Sequence, residues 1–228
     1  MTLLLEGLLF SFFGVMLMLV FEFGISHRDV RRFRKRDGGK ELHAAGMRAT
    51  IINHMVLGPI AYDLTVRHCC TRRGLTFSQQ ARCVVLFLLI ESALFYVVHY
   101  LMHTRRLYWM HRFHHKFNSI VLPSSASAVS TAEFAIAYMA PFYVGAWGAS
   151  CDKTSALVAA SLVAAFNLII HTPALDEKLT SSYPWMFVSP GDHLAHHRQL
   201  SCNYSAPIFH FDRIITSLKK AAFGTEQG

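Results

Sequence analysis

Eight of the 14 histidines in this 228-residue chain fall into three short groups. His99 and His103 are spaced HxxxH; His111, His114 and His115 are spaced HxxHH; His193, His196 and His197 repeat the HxxHH spacing. Residues three or four apart share one face of a helix, so each group can aim its imidazoles at one point. Converging neutral imidazoles have one usual use, which is to hold a metal. A single HxxxH pair is weak evidence, because buried histidines often just hydrogen-bond. Three groups in one chain outweigh that reading. A zinc ion takes about four ligands, or about three where it is catalytic, so eight or nine imidazoles suggest two ions. The donor set is nearly all nitrogen, which suits zinc, copper, iron or nickel without choosing among them.

The elements that must position these groups are apolar. The chain is 53% hydrophobic and 16% charged, with mean hydropathy +0.31, a balance that leans toward a membrane protein. Its length suits a single domain over residues 1–228. The net charge of +8 is concentrated at Arg28, Arg31, Arg32, Arg34, Lys35, Arg36 and Lys40. Such a run could bind nucleic acid, but directly after an apolar segment it reads as a cytoplasmic membrane flank; no nucleic-acid partner is expected. The five cysteines are odd in number and scattered, which gives neither a disulfide framework nor a zinc-type pairing.

Residues 3–24 are long enough to span a bilayer and lack the cleavage site of a signal peptide. Glu6 and Glu22 stand near the two ends of that span, where an acid costs little. Residues 44–66 are apolar but carry Arg48, Asn53, His54 and Asp63, and either cross or lie at the interface. Residues 67–80 read as a polar loop. Residues 81–102 form a strongly apolar helix ending in the first histidine pair. Residues 104–118 suit an interfacial helix, and Pro123 with the following serines a loop. Residues 133–150 and 154–173 read as a helical hairpin that turns at Cys151–Lys153, with His171 at its end and Pro173 stopping the helix. The polar tail from 174 onward carries the last group. The expected fold is therefore all-α: a multi-pass membrane bundle of four to five spans under a cytoplasmic histidine-rich metal cap. If all five spans cross and the basic run is cytoplasmic, the candidate ligands all reach one membrane face.

The segment FYVVHYLMHTRRLYWMHRFHH resembles the histidine signature of the fatty acid hydroxylase superfamily, the membrane di-iron enzymes that include sterol desaturases and sterol 4-methyl oxidases. Phe95-Tyr96, the HxxxH pair, Leu107-Tyr108 and the HxxHH group stand in the family's order. Near the C-terminus, Pro190, the last three histidines, Asn203, Tyr204, Asp212 and Arg213 are similar to the family's second pattern. His171 matches a further family histidine at the end of a membrane helix. The resemblance covers roughly residues 81–218. The chain departs from the pattern at Ser92, Tyr100, Ser130–Glu133 and Ser205, which weakens assignment to a named branch; the HxxxH spacing looks more like the sterol-modifying one.

The resemblance implies two iron ions held by His99, His103, His111, His114, His115, His171, His193, His196 and His197, with O₂ as co-substrate. It implies hydroxylation or desaturation of a membrane lipid, with a sterol preferred over a fatty acyl chain. It also implies an external electron donor such as cytochrome b5 with its reductase, and an endoplasmic reticulum location with the site facing the cytosol. Imidazole ligands leave the ions' charge uncompensated, so carboxylates should orient them from behind; Glu133 and Asp192 are the candidates, with Asn203 as a third. Arg105, Arg106 and Lys116 would suit an acidic donor. A non-redox metal-binding membrane protein, or an inactive homologue, is the alternative. A transporter would place polar ligands at mid-membrane instead of at helix ends.

Overall fold

The computed structural model describes residues 2–179 and 183–224. These residues form helices and turns without a strand; one isolated bridge joins Phe187 to Phe209. In chain order α1 is Leu3–Val20, running on through a π turn at Phe21–Ile25, and α2 is His27–Arg34. The α3 helix, Gly39–Ile52, continues through a π turn at Asn53–Leu57 into α4, Gly58–His68. Then come α5 at Phe77–Met102, α6 at Tyr108–His111 and α7 at Thr131–Glu133. A third π turn, Phe134–Met139, leads into α8 at Ala140–Gly148, and α9 is Lys153–Ile170. The tail holds α10 (Pro173–Leu179), α11 (Pro190–Gln199) and α12 (Phe211–Phe223).

Three helices among the described residues are long and apolar enough to cross a membrane: Leu3–Ile25, Phe77–Met102 and Lys153–Ile170. Their outward faces carry Phe13, Val85, Leu89 and Val158, all exposed, as in a protein whose solvent is lipid. The other two expected spans are also helical, over 39–68 and 131–148, each broken by a π turn, and the first also carries Arg48, Asn53, His54 and Asp63. Both pack antiparallel to a long helix. An added Cβ on Gly7 would stand 2.9 Å from Pro59 Cα and from Tyr62 Cβ, so α1 and α4 approach at the distance of their backbones. Gly145 of α8 packs likewise on Phe87 and Glu91 of α5.

The strong local signals set the helix ends. Thr76 and Gln79 close a capping box at the start of α5, and Asp152 caps α9 through the Ser155 N–H at 2.8 Å. Pro173 opens α10 two residues after His171 ends α9, so it both stops one helix and starts the next. The ends of α1, α5 and α9 meet at one pole of the bundle. There Phe33 of the basic stretch stacks on Phe117 with ring centroids 5.4 Å apart, and Arg36 donates to the Ser119 hydroxyl.

Three sequence expectations change. Residues 104–118 are not an interfacial helix: only α6 and a short 3₁₀ turn at His114–Lys116 form there. The expected loop at Pro123 and the following serines is a 3₁₀ turn at Pro123–Ser127. Residues 121–129 are buried throughout, re-entering the bundle between α3 and α9. Their carbonyls are met by side chains: Thr50 on Ser124, Asn53 on Ser127 and Val129, and Tyr138 and Asn167 on Ala126. Irregular backbone at membrane depth is tolerable only when satisfied in this way. Finally, Glu22 is not near water; it is fully buried, accepting from His43 Nε2 at 2.7 Å and from the Ser124 N–H at 2.9 Å.

Candidate metal centre

The nine histidines singled out in the sequence gather into two adjoining groups. His99, His103, His111, His115 and His196 place one ring nitrogen each within 4.8 Å of one another, and His114, His171, His193 and His197 do the same. The HxxHH motifs do not each aim at one point. Consecutive residues on a helix diverge by about 100°, so His111 and His115 join the first group while His114 turns to the second. The last motif divides the other way, giving His196 to the first group and His193 with His197 to the second. Each motif thus bridges both groups, and His115 and His197 stand side by side with centroids 4.8 Å apart.

Each element contributes from a fixed position. α5 delivers His99 in its last turn and His103 as its C-terminal cap. α6 and the 3₁₀ turn supply the next three. α9 ends on His171, whose Nδ1 donates back to the Asn167 carbonyl at 2.7 Å. α11 carries the last three and is started by Ser189, whose hydroxyl accepts from the Asp192 N–H at 3.1 Å.

Backbone carbonyls settle several tautomers, since a carbonyl can only accept. His99 Nδ1 donates to the Tyr204 carbonyl at 2.7 Å, and His196 Nδ1 to the Cys202 carbonyl at 2.7 Å. With His171, these three must present Nε2 as a bare lone pair. His111 Nδ1 meets Glu133 Oε1 at 2.5 Å, both side chains buried. With Glu133 accepting, His111 also offers a lone pair, yet its Nε2 lies 2.9 Å from that of His99. Two lone pairs at that distance repel unless a cation lies between them. His196 Nε2, buried, has no hydrogen-bond partner among the described residues. The donor set therefore fits metal ions.

Burial, reinforced by the neighbouring imidazoles, keeps these rings neutral. His103 is pushed down to about 3 and His115 to about 2. His111, His114, His193 and His197 fall well below the ordinary histidine value for the same reasons. Burial lowers His171 to about 4, against a backbone hydrogen bond that raises it. Neutral imidazole is the form that can ligate.

The candidates behind the ligands divide. Glu133 reaches a clustered histidine, its helix start fixed by Ser130, whose hydroxyl accepts from the Glu133 N–H at 3.1 Å. Asp192 and Asn203 do not. Asp192 caps α11 through Ser189 and accepts from Arg213 at 2.6 Å, and the Asn203 amide donates to the Asp192 backbone carbonyl at 3.1 Å. Asn203 takes φ +52°, turning the chain so that the 202 and 204 carbonyls point at His196 and His99. Those carbonyls left no sequence signal, because any residue carries one. Asp212 holds the turn by accepting from the Tyr204 N–H at 3.2 Å and the Ser205 N–H at 2.9 Å.

A cavity of about 310 Å³ lies in the bundle between α1, α4, α9 and the re-entrant segment. Tyr138 lines it and touches Phe95, which in turn packs on His99 with centroids 5.2 Å apart. Asn167, the residue that orients His171, is also in its wall.

A family model described as fatty acid hydroxylase matches residues 84–217, more than half of the chain and all nine clustered histidines. No curated protein and no solved structure matches.

Proposed function

The chain belongs to the fatty acid hydroxylase family, and from that premise we propose that it oxidises a membrane lipid with O₂ at a centre of two iron ions. The observation that carries this reading is the division of nine imidazoles into groups of five and four. Each group has enough donors for one ion, and the two HxxHH motifs, which contribute to both groups, would hold the two sites next to each other. The ligands would be His99, His103, His111, His115 and His196 for one ion, and His114, His171, His193 and His197 for the other. Bound iron would supply the O₂ activation that an unactivated C–H bond requires.

The chain's own residues do the rest. Glu133 takes the hydrogen bond of His111 and compensates part of the added charge. The carbonyls of Asn167, Cys202 and Tyr204 hold three rings in the ligating tautomer. Phe95 and Tyr138 keep bulk water away from the face of His99 that looks toward the cavity. The cavity, largely apolar and open among membrane helices, suits a lipid arriving from the bilayer; a sterol is preferred over an acyl chain. Electrons come from an external carrier such as cytochrome b5 with its reductase. Arg105, Arg106, Arg112 and Lys116 are exposed beside His103, the one clustered histidine that is not buried, and give an acidic donor a landing surface. With the basic run 28–40 on the cytosolic side, the centre faces the cytosol, as at an endoplasmic reticulum membrane.

The test is to supply ¹⁸O₂, ferrous iron, a reductant and a membrane lipid extract to the purified protein. The expected outcome is iron-dependent formation of an ¹⁸O-labelled lipid alcohol, or of an alkene with O₂ consumed. A protein that retains zinc alone and consumes no O₂ would favour the non-redox metal-binding alternative.

A further inference from the structure

The cavity contains one carboxyl group, and the protein itself leaves it almost unanswered. Glu91 sits in the middle of the apolar helix α5, is 3% exposed, and lines the cavity. Its one hydrogen bond among the described residues is a long one from its neighbour: Ser92 Oγ donates to Oε2 at 3.3 Å. Among the described residues, no donor meets its other oxygen. The other two buried glutamates each meet a distant side chain: Glu22 accepts from His43 and Ser124, and Glu133 is held by His111 through Oε1, its Oε2 being left without a partner among the described residues. A carboxyl at membrane depth is costly to keep without a partner, which marks it as functional.

The rest of the lining narrows what that partner is. Thr50, Tyr138 and Asn167 direct their donors at carbonyls of the re-entrant segment, and His54 Nε2 lies 3.0 Å from Ser127 Oγ. No lysine or arginine lines the cavity, so a carboxylate or phosphate headgroup would enter without a counter-charge. An uncharged group that both donates and accepts fits; a lipid hydroxyl is the simplest.

We propose that Glu91 is the hydrogen-bonding anchor for an uncharged lipid alcohol held in this cavity. The inference rests on the lipid-oxidation reading for its purpose, not for its geometry. Eight residues of α5 separate Glu91 from His99, or about 12 Å of helix. The carbon presented to the histidines is therefore several bonds removed from the anchored hydroxyl.

The experiment measures binding to the iron-loaded protein in lipid nanodiscs. The probes are a fluorescent polyene sterol and a fluorescent long-chain alcohol, each paired with its deoxy analogue, and the carboxylic acid matching the chain. Wild type, Glu91→Gln and Glu91→Leu are compared, with iron content measured for all three. The proposal expects at least one alcohol to bind about tenfold or more tightly than its deoxy analogue, the effect of a single buried hydrogen bond. Glu91→Gln should keep most of that discrimination and Glu91→Leu should lose it, with iron content unchanged. Which pair discriminates tells sterol from chain. Equal binding of both alcohols and their deoxy analogues by wild type overturns the proposal. So does discrimination that survives in Glu91→Leu, or a carboxylate that binds as well as the alcohol. If recognition depends on Glu91 but no oxygen-dependent product forms, the anchor stands and the oxidase reading falls. If Glu91→Leu oxidises lipid as well as wild type, the reverse holds.

Discussion

Glu133 couples one clustered imidazole, a proposed ligand, to a buried carboxylate, and its replacement separates orientation from ligation. Glu133→Ala removes the acceptor of His111 Nδ1, freeing the ring to take the other tautomer. Loss of such a partner typically weakens a metal site by about 10–100-fold. The expected result is iron lost to a chelator at correspondingly lower concentration, with Glu133→Gln intermediate because its amide oxygen still accepts. His171 is the lone clustered histidine outside the three motifs, yet its Nε2 lies 3.0 Å from that of His193. His171→Ala should therefore lower iron content, whereas His68→Ala, an exposed histidine, should not; equal iron in both would make His171 a core residue. Acid should strip the site. The clustered imidazoles stay neutral far below pH 6.5 in the folded chain, but in the unfolded chain they charge near that value. The unfolded chain thus binds more protons between about pH 6.5 and 3, so stability falls as pH falls through that window. Iron retention and thermal stability should decline together on acidification from pH 7 to 5. Histidine spacing made the two clusters of candidate ligands legible. The carbonyl partners were not legible, because turn geometry and not residue type selects them.

Three π turns recur where a polar side chain is placed inward: Glu22 at Phe21–Ile25, Asn53 and His54 at Asn53–Leu57, and Glu133 immediately before Phe134–Met139. The extra residue in each rotates the following turn, and such bulges often mark functional positions. No single-residue signal announces a π turn, so sequence periodicity gave the helices over 39–68 and 131–148 without their irregularity. The re-entrant segment escaped for a related reason. Proline and serines read as a loop, and nothing in the sequence shows that Thr50, Asn53, Tyr138 and Asn167 wait to satisfy its carbonyls inside the bundle. Asn53 serves two of them, on Ser127 and Val129. Asn53→Leu leaves both buried without that donor, at about 1–3 kcal/mol for such a group. The expected outcome is a lower thermal midpoint in detergent and a weaker grip on lipid, with iron content less affected; an unchanged midpoint would contradict this view of the segment.

At the scale of the molecule, alternating helix directions bring the ends of α1, α5 and α9 to one pole, and the basic stretch packs there against the segment that follows the second histidine group. That gathering was readable from apolar lengths and the positions of the histidines along them. Which helices cross fully was not, since polar residues such as Arg48 and Asp63 interrupt helix 39–68. A cysteine introduced at Lys35, an exposed position, should react with a membrane-impermeant reagent only from the cytosolic side; luminal labelling would invert the proposed topology and move the electron donor with it. The central claim is that two groups of imidazoles hold two irons in one chain. It is tested most directly by the metal-to-protein ratio of the protein purified under reducing conditions, measured by elemental mass spectrometry. The account predicts two irons per chain; one zinc per chain, or a single ion of any kind, would contradict it.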